Sequence, residues 1–137
     1  MGSFSDEIEN QVLDQVFGAS DYAEPATQYI GLSKADPGDD ASGLDEPSGG
    51  SYARVAVDND KVTWSAAAAG ALANAILIQF PQATGDWGTI THFCVWDHLT
   101  AVLAVNLIGH SSLSVAKAID TGDTAKFAIG ELDVTLD

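Results

Sequence analysis

The sequence predicts a mainly β fold: a single-domain, antiparallel, jelly-roll-like β-sandwich with a short N-terminal α-helix. Three observations carry this reading. Short runs rich in β-branched and aromatic residues recur from Thr27 to Leu136. Clusters of Gly, Pro, Asp and Asn separate them at the intervals of sandwiches and barrels. No helical pattern alternates with the strands, which argues against a parallel α/β fold. With 137 residues, 46% of them hydrophobic, the chain suits one domain whose core needs neither disulfide nor metal.

Residues 5–17 read as the helix. Ser5 is the N-cap, and Asp6 and Glu7 place negative charge in the first turn, where the helix dipole favours it. Ile8, Val12, Leu13, Val16 and Phe17 recur at helical spacing, and Gly18 is the stop. A helix this short is marginal alone, so its apolar face docks either on its own domain or on a neighbouring subunit. The chain thus divides into a helical arm over 1–20 and a β domain over 21–137.

The strands follow in order. Thr27–Ser33 and Tyr52–Val57 flank a long acidic loop, and Asp58-Asn59-Asp60 turns the chain into a short strand over Lys61–Trp64. Ser65–Ala71 combines four alanines with Gly70 and reads as irregular. Asn74–Phe80 is a strand stopped by Pro81, and Thr89–Trp96 is an imperfectly alternating one. Asp97–Thr100 reads as a hairpin connection into a strand over Ala101–Ile108. Ser112–Ala118, Thr124–Ile129 and Leu132–Leu136 complete the set.

Charge narrows the partners. Five basic residues against 20 acidic ones give a net charge of -15. Phosphate binding needs clustered Lys and Arg, so neither nucleic acid nor an anionic membrane is an expected partner. A solvated acidic surface, a basic protein surface or a salt-rich setting all suit this balance. The longest apolar-leaning run, Ala66–Ile78, is broken by Gly70 and Asn74 and is too short to span a bilayer. Met1–Glu7 has neither the basic nor the apolar region of a secretory signal. Cys94 is the single cysteine, flanked by Phe93 and Val95, and reads as a buried inert thiol.

Catalytic patterns fail one by one. Gly109-His110-Ser111-Ser112-Leu113 follows G-x-S-x-G only in its first half. His92, His98 and His110 have no triad spacing, and His92 reads as a structural strand residue. Asp36, Asp39, Asp40, Asp45 and Glu46 offer oxygen ligands but lack EF-hand spacing, and one Cys with three scattered His makes no zinc pattern. Gly49-Gly50-Ser51 precedes a strand and makes no phosphate loop. Trp64, Trp87 and Trp96 suit core packing better than a glycan platform, with Trp87 the most ambiguous. The expectation is a non-enzyme with no catalytic residue, cofactor or metal.

The loop from Ala35 to Gly50 then becomes the feature to explain. A long patterned loop between two core strands is where a β scaffold usually carries its function. Its contact candidates are Asp36, Asp39, Asp40, Leu44, Asp45 and Glu46, joined by Trp87 and by Ile8, Val12, Val16 and Phe17 of the helix. Arg54 is either the anchor of the loop's carboxylates or a plain surface arginine.

An ordered set of segments adds a resemblance. It runs through Ile8–Asp14, Gly31-Leu32-Ser33, Ala35-Asp36-Pro37, Ser42-Gly43-Leu44, Glu46-Pro47 and Gly49–Val55. It continues through Phe80–Phe93, Gly122-Asp123-Thr124 and Gly130–Asp137. Across nearly its whole length the chain resembles a family of small tailed-bacteriophage virion proteins, often labelled tail fibre proteins and similar to capsid cement or decoration proteins. It departs from that pattern at Ala66–Ala69, where Gly is more usual, and at His98–Ala101, where a Gly-containing turn is expected. The resemblance implies a virion protein made in the bacterial host cytoplasm. A compact unit suits a many-copy shell, where small contacts multiply by valency. The expectation is therefore a cement protein on the capsid exterior, contacting the major capsid protein and self-associating as a trimer or dimer. A tail or tail-fibre component, receptor- or glycan-binding, is the alternative.

Overall fold

The computed structural model describes Gly2–Leu136; Met1 and Asp137, the outermost residues of the arm and of the β domain, lie outside the described residues. The elements are β1 (Gly2–Phe4), α1 (Asp6–Phe17), β2 (Thr27–Ser33), β3 (Val55–Asp58), β4 (Ala71–Ala73), β5 (Ile78–Gln79) and β6 (Gly88–Trp96). After a 3-10 turn at Ala104–Asn106 come β7 (Leu107–Ile119), β8 (Lys126–Phe127) and β9 (Asp133–Thr135). The chain is a mainly β, antiparallel domain with one short α-helix. Its principal sheet has five strands in the order β1-β7-β6-β2-β3, and β4–β9 and β5–β8 form two separate two-stranded ribbons.

Period-2 alternation sends side chains of the principal sheet to two faces, and both are covered. On one face Ile30, Leu32, Phe93 and Val95 join Ile78, Phe80 and Leu132 in the main core, with Phe127 and Val134 packed against it. The ribbons are thus the second layer. On the other face Cys94, Trp96 and Leu107 form a smaller core with Ala41, and Tyr29 and Leu44 pack against it. The loop between β2 and β3 covers this side. Burial on two sides accounts for the imperfect alternation of β6, since a strand covered on both faces needs apolar residues in both phases.

Aromatic contacts tie sheet to ribbons: Phe93 of β6 meets Phe127 of β8 edge-on at 5.7 Å. Phe80 stacks on Tyr52 with centroids 6.3 Å apart and meets Trp87 and Phe127 edge-on, each at 6.4 Å. Trp87 is itself edge-on to Tyr52 at 5.2 Å, and its indole N–H donates to the Gly50 carbonyl at 2.8 Å.

The helix has the expected ends. The Ser5 hydroxyl accepts from the Ile8 N–H at 3.3 Å and donates to the Leu107 carbonyl, so the cap also fastens α1 to β7. Gly18 adopts φ 87°, a left-handed conformation suited to glycine, and its N–H bonds the Asp14 carbonyl at 2.8 Å. Residues 1–20, set apart in the sequence as an arm, enter the principal sheet at their start: β1 pairs with β7, with Ser3 opposite His110. A three-residue Gly-Ser-Phe strand has no legible pattern. Only the beginning of the apolar helix face docks on the domain, since Ile8 is buried while Leu13, Val16 and Phe17 are 55%, 66% and 82% exposed.

Four expected strands change. Residues 97–106 stay outside the sheet, because the His98 and Ala101 carbonyls accept from Arg54 Nη1 at 2.8 and 2.9 Å. The chain then runs as one strand, β7, through the gap expected at Gly109-His110-Ser111. In the expected strand Asn74–Phe80 only Ile78 and Gln79 form a ladder. Asn74 is buried there and uses its side chain to bond the Ile76 and Ala128 carbonyls and the Leu132 N–H. That amide links the two ribbons in place of a ladder. Lys61–Trp64 reduces to a single bridge, Trp64 to Asn74.

Phe80 is the hub between layers, so Phe80→Ala is expected to lower the unfolding free energy by about 3–5 kcal/mol, measured by urea denaturation. A loss below about 1 kcal/mol would show that the ribbons contribute little to this core.

Candidate functional site

The loop between β2 and β3 is a string of locally closed turns. Asp36 Oδ1 accepts from the Gly38 N–H at 3.0 Å and Asp40 Oδ1 from the Ser42 N–H at 2.9 Å, the local role that suits Asp to turns. Hydrogen bonds from Ser42, through its side chain first and its backbone second, hold the Asp40 carboxyl below its usual range. The Gly43 N–H reaches the Pro37 carbonyl at 3.0 Å and the Leu44 N–H reaches Ala41 at 3.2 Å. A Cβ at Gly43 would collide with the Asp36 carbonyl oxygen, so this close approach requires glycine.

The base of the loop is closed twice. Ser33 is fully buried, and its hydroxyl accepts from the Asp45 N–H at 3.1 Å. The Lys34 N–H donates to the Asp45 carbonyl at 2.9 Å. Lys34 Nζ also lies 3.0 Å from Asp45 Oδ1, an exposed pair of the kind that contributes at most about 1 kcal/mol.

The strong anchor is buried. Arg54, 6% exposed, makes a two-pronged ion pair with Glu46: Nε to Oε1 and Nη2 to Oε2, both at 2.8 Å. Its guanidinium lies 4.0 Å from the Trp96 ring centroid, within cation–π range. Nη1 holds the two carbonyls of the 97–106 connection. Glu46 Oε1 also accepts from the Tyr52 hydroxyl at 2.7 Å, and the Tyr52 hydroxyl oxygen in turn accepts from the Leu32 N–H at 2.9 Å. One arginine thus joins the acidic loop, the β6–β7 connection and the sheet. Burial first, and the Glu46 charge second, drive the Tyr52 pKa above its ordinary value. The same two causes push the buried Cys94 thiol up to about 12.

The histidines fix the other end of the loop. His110 Nε2 lies 3.0 Å from Asp39 Oδ1, and Nδ1 lies 3.5 Å from Asp36 Oδ1. His92 Nε2 is 4.0 Å from the same Asp36 oxygen, and its Nδ1 is 2.8 Å from Thr91 Oγ1. The Asp6 N–H reaches the Asp39 carbonyl at 3.4 Å, so helix, sheet and loop meet here.

The candidate residues therefore separate into outer and inner sets. Asp36, Asp39, Asp40, Asp45, Val16 and Phe17 are exposed, while Val12 and Leu44 are half-buried. Trp87 is corrected from a contact candidate to a core residue, 2% exposed, because its ring fills the space beside Phe80 and Tyr52. Ile8 and Arg54 are likewise inside, and Glu46 turns its carboxylate inward to Arg54. Of the two readings of Arg54, the loop anchor holds. Sequence reasoning missed Tyr52 and His110. Tyr52 stands two residues from Arg54, a spacing that in extended chain places both on one side, and this was the available signal. No signal marked His110, whose role depends on long-range register.

Two outcomes are expected. Glu46→Ala strands a buried guanidinium and lowers stability by about 3–5 kcal/mol, whereas the paired Glu46→Leu/Arg54→Met variant recovers most of that loss, read from urea unfolding as a double-mutant cycle. Alkaline pH destabilises the domain in two stages. Cys94 and Tyr52 have folded pKa values above their unfolded ones, so their contribution is complete at neutral pH and falls as pH rises. The decline begins near the unfolded thiol value of about 8.5, and Cys94→Ala delays its onset to about 10, the unfolded tyrosine value. Chemical denaturation at stepped pH checks this.

Comparison with known proteins places the chain. The family model of podophage GP4 fiber I protein gp80 matches residues 3–135. No curated protein matches it. The chain belongs to the family of podophage GP4 fiber I protein gp80, and it is a structural protein of the bacteriophage virion.

Proposed function

We propose that this chain is a non-enzymatic subunit of the fibre apparatus, held on the outside of the particle by contact with a larger virion protein. The observation that carries this reading is the family match to a fibre protein over residues 3–135. The geometry supports it. The chemically capable side chains serve structure: Glu46 and Arg54 neutralise each other in the interior, and Asp36 and Asp40 close turns. A loop so tethered presents a shape fixed in advance, which lowers the ordering cost of binding.

One observation favours a second reading, a cement protein on the capsid exterior contacting the major capsid protein as a trimer or dimer. The described residues fold as a short-stranded domain with a single 12-residue helix and no coiled-coil shaft. Such a unit suits a lattice of many weak contacts.

Cryo-electron microscopy of virions labelled with a Fab against this chain separates the two. The fibre reading expects Fab density confined to fibres at the tail; Fab density in a regular array over the head would establish the cement reading in its place.

A further inference from the structure

A groove of about 570 Å3 opens on the main-core face of the principal sheet, between the N-terminal elements and the β4–β9 ribbon. Phe4 and Val12 line one side, Trp64, Leu72 and Val134 the other, and Phe93 lies among them. Val16 follows Val12 by one helical turn and extends the apolar lining outward, 66% exposed. Phe17 stands beside it at 82% exposure. An apolar groove continuous with an exposed apolar stripe is the usual mark of a protein-binding surface.

Charge identifies the occupant. The helix carries Asp6, Glu7, Glu9 and Asp14 with no Lys or Arg, and its C-terminal end, the negative pole of its dipole, has no basic residue in the last turn. The charged groove residues are Glu24 and Asp133 against Lys61. The whole chain carries -15. A second copy docked through the same face would set two acidic rims together, which like-charge repulsion opposes.

We infer that this groove and the outer stripe of α1 dock an apolar segment of a different virion protein, one flanked by Lys or Arg. The inference rests on the reading of the chain as a subunit held on the particle by a larger protein. It names the face and the chemistry of that contact.

A phage with this gene disrupted, propagated on host cells that supply the chain from a plasmid, tests it. Chain copies per purified particle are read by quantitative mass spectrometry. Val16→Asp/Phe17→Asp alters only exposed positions, and circular dichroism verifies its fold. Its incorporation is expected to fall about tenfold or more, as for loss of an interface anchor. Ala67→Trp, which obstructs the groove from an exposed position, is expected to do the same, while Val115→Asp, outside the groove, incorporates like wild type. Raising salt from about 0.05 M to about 0.5 M is expected to strip wild-type chain from particles, since it screens the charged rim. Wild-type incorporation of the double variant overturns the inference alone. Absence of the wild-type chain from particles overturns the subunit reading as well. A free chain that sediments as an oligomer, and as a monomer once Val16 and Phe17 are changed, assigns the face to a second copy and likewise overturns it.

Discussion

The buried pair of Arg54 and Glu46 is the constraint on which the outer face of this domain depends. Two charges taken from water recover their desolvation cost only with close geometry and further hydrogen bonds. Here both prongs are 2.8 Å, Tyr52 adds a donor to Glu46, and two backbone carbonyls take the remaining guanidinium nitrogen. Trp96, fully buried, supplies the ring below the cation. Glu46, the 52–54 stretch and residues 96–101 are three separate parts of the chain, so the pair positions three segments at once.

This arrangement explains why an acidic loop is also an ordered one. Carboxylates crowded on one surface repel, and a free loop would keep them apart by moving. Glu46 is removed inward to a cation, Asp36 and Asp39 face His110, and Asp45 faces Lys34. Asp36 and Asp40 also accept backbone N–H groups. What reaches solvent is a fixed outline backed by the small core around Cys94 and Trp96. In the proposed structural role, such a preformed outline offers shape and charge as the means of contact.

The sequence made much of this legible where the signal is local. Ser5, the helical spacing that follows it and Gly18 mark the helix, and β2 and β6 stand out by their β-branched and aromatic runs. Residues 101–105 read as part of a strand because their side chains are apolar, but the Ala101 carbonyl is taken by Arg54, a long-range contact that no local pattern encodes, and the Leu103 and Asn106 carbonyls accept N–H groups within the connection. Asn74 misleads in the same way: it interrupts a strand-like run because its amide bonds a distant segment. Trp87 sits in a turn flanked by glycines, a position that suggests exposure, yet the fold over it comes from Gly50 and Tyr52. The acidic loop stands out as the feature of interest, and its anchor is legible as one of two readings of Arg54; the choice of Glu46 as partner and the burial of the pair depend on the fold.

Above all, the loop is rigid because of this anchor. Native-state hydrogen exchange of the Gly43, Leu44 and Asp45 amides, in wild type and in Arg54→Met, tests it most directly. These amides are expected to exchange slowly in wild type, with opening free energies near that of global unfolding, and to lose protection in Arg54→Met while β6 and β7 remain protected. Exchange at the rate of an unstructured peptide in the wild-type protein would contradict this expectation.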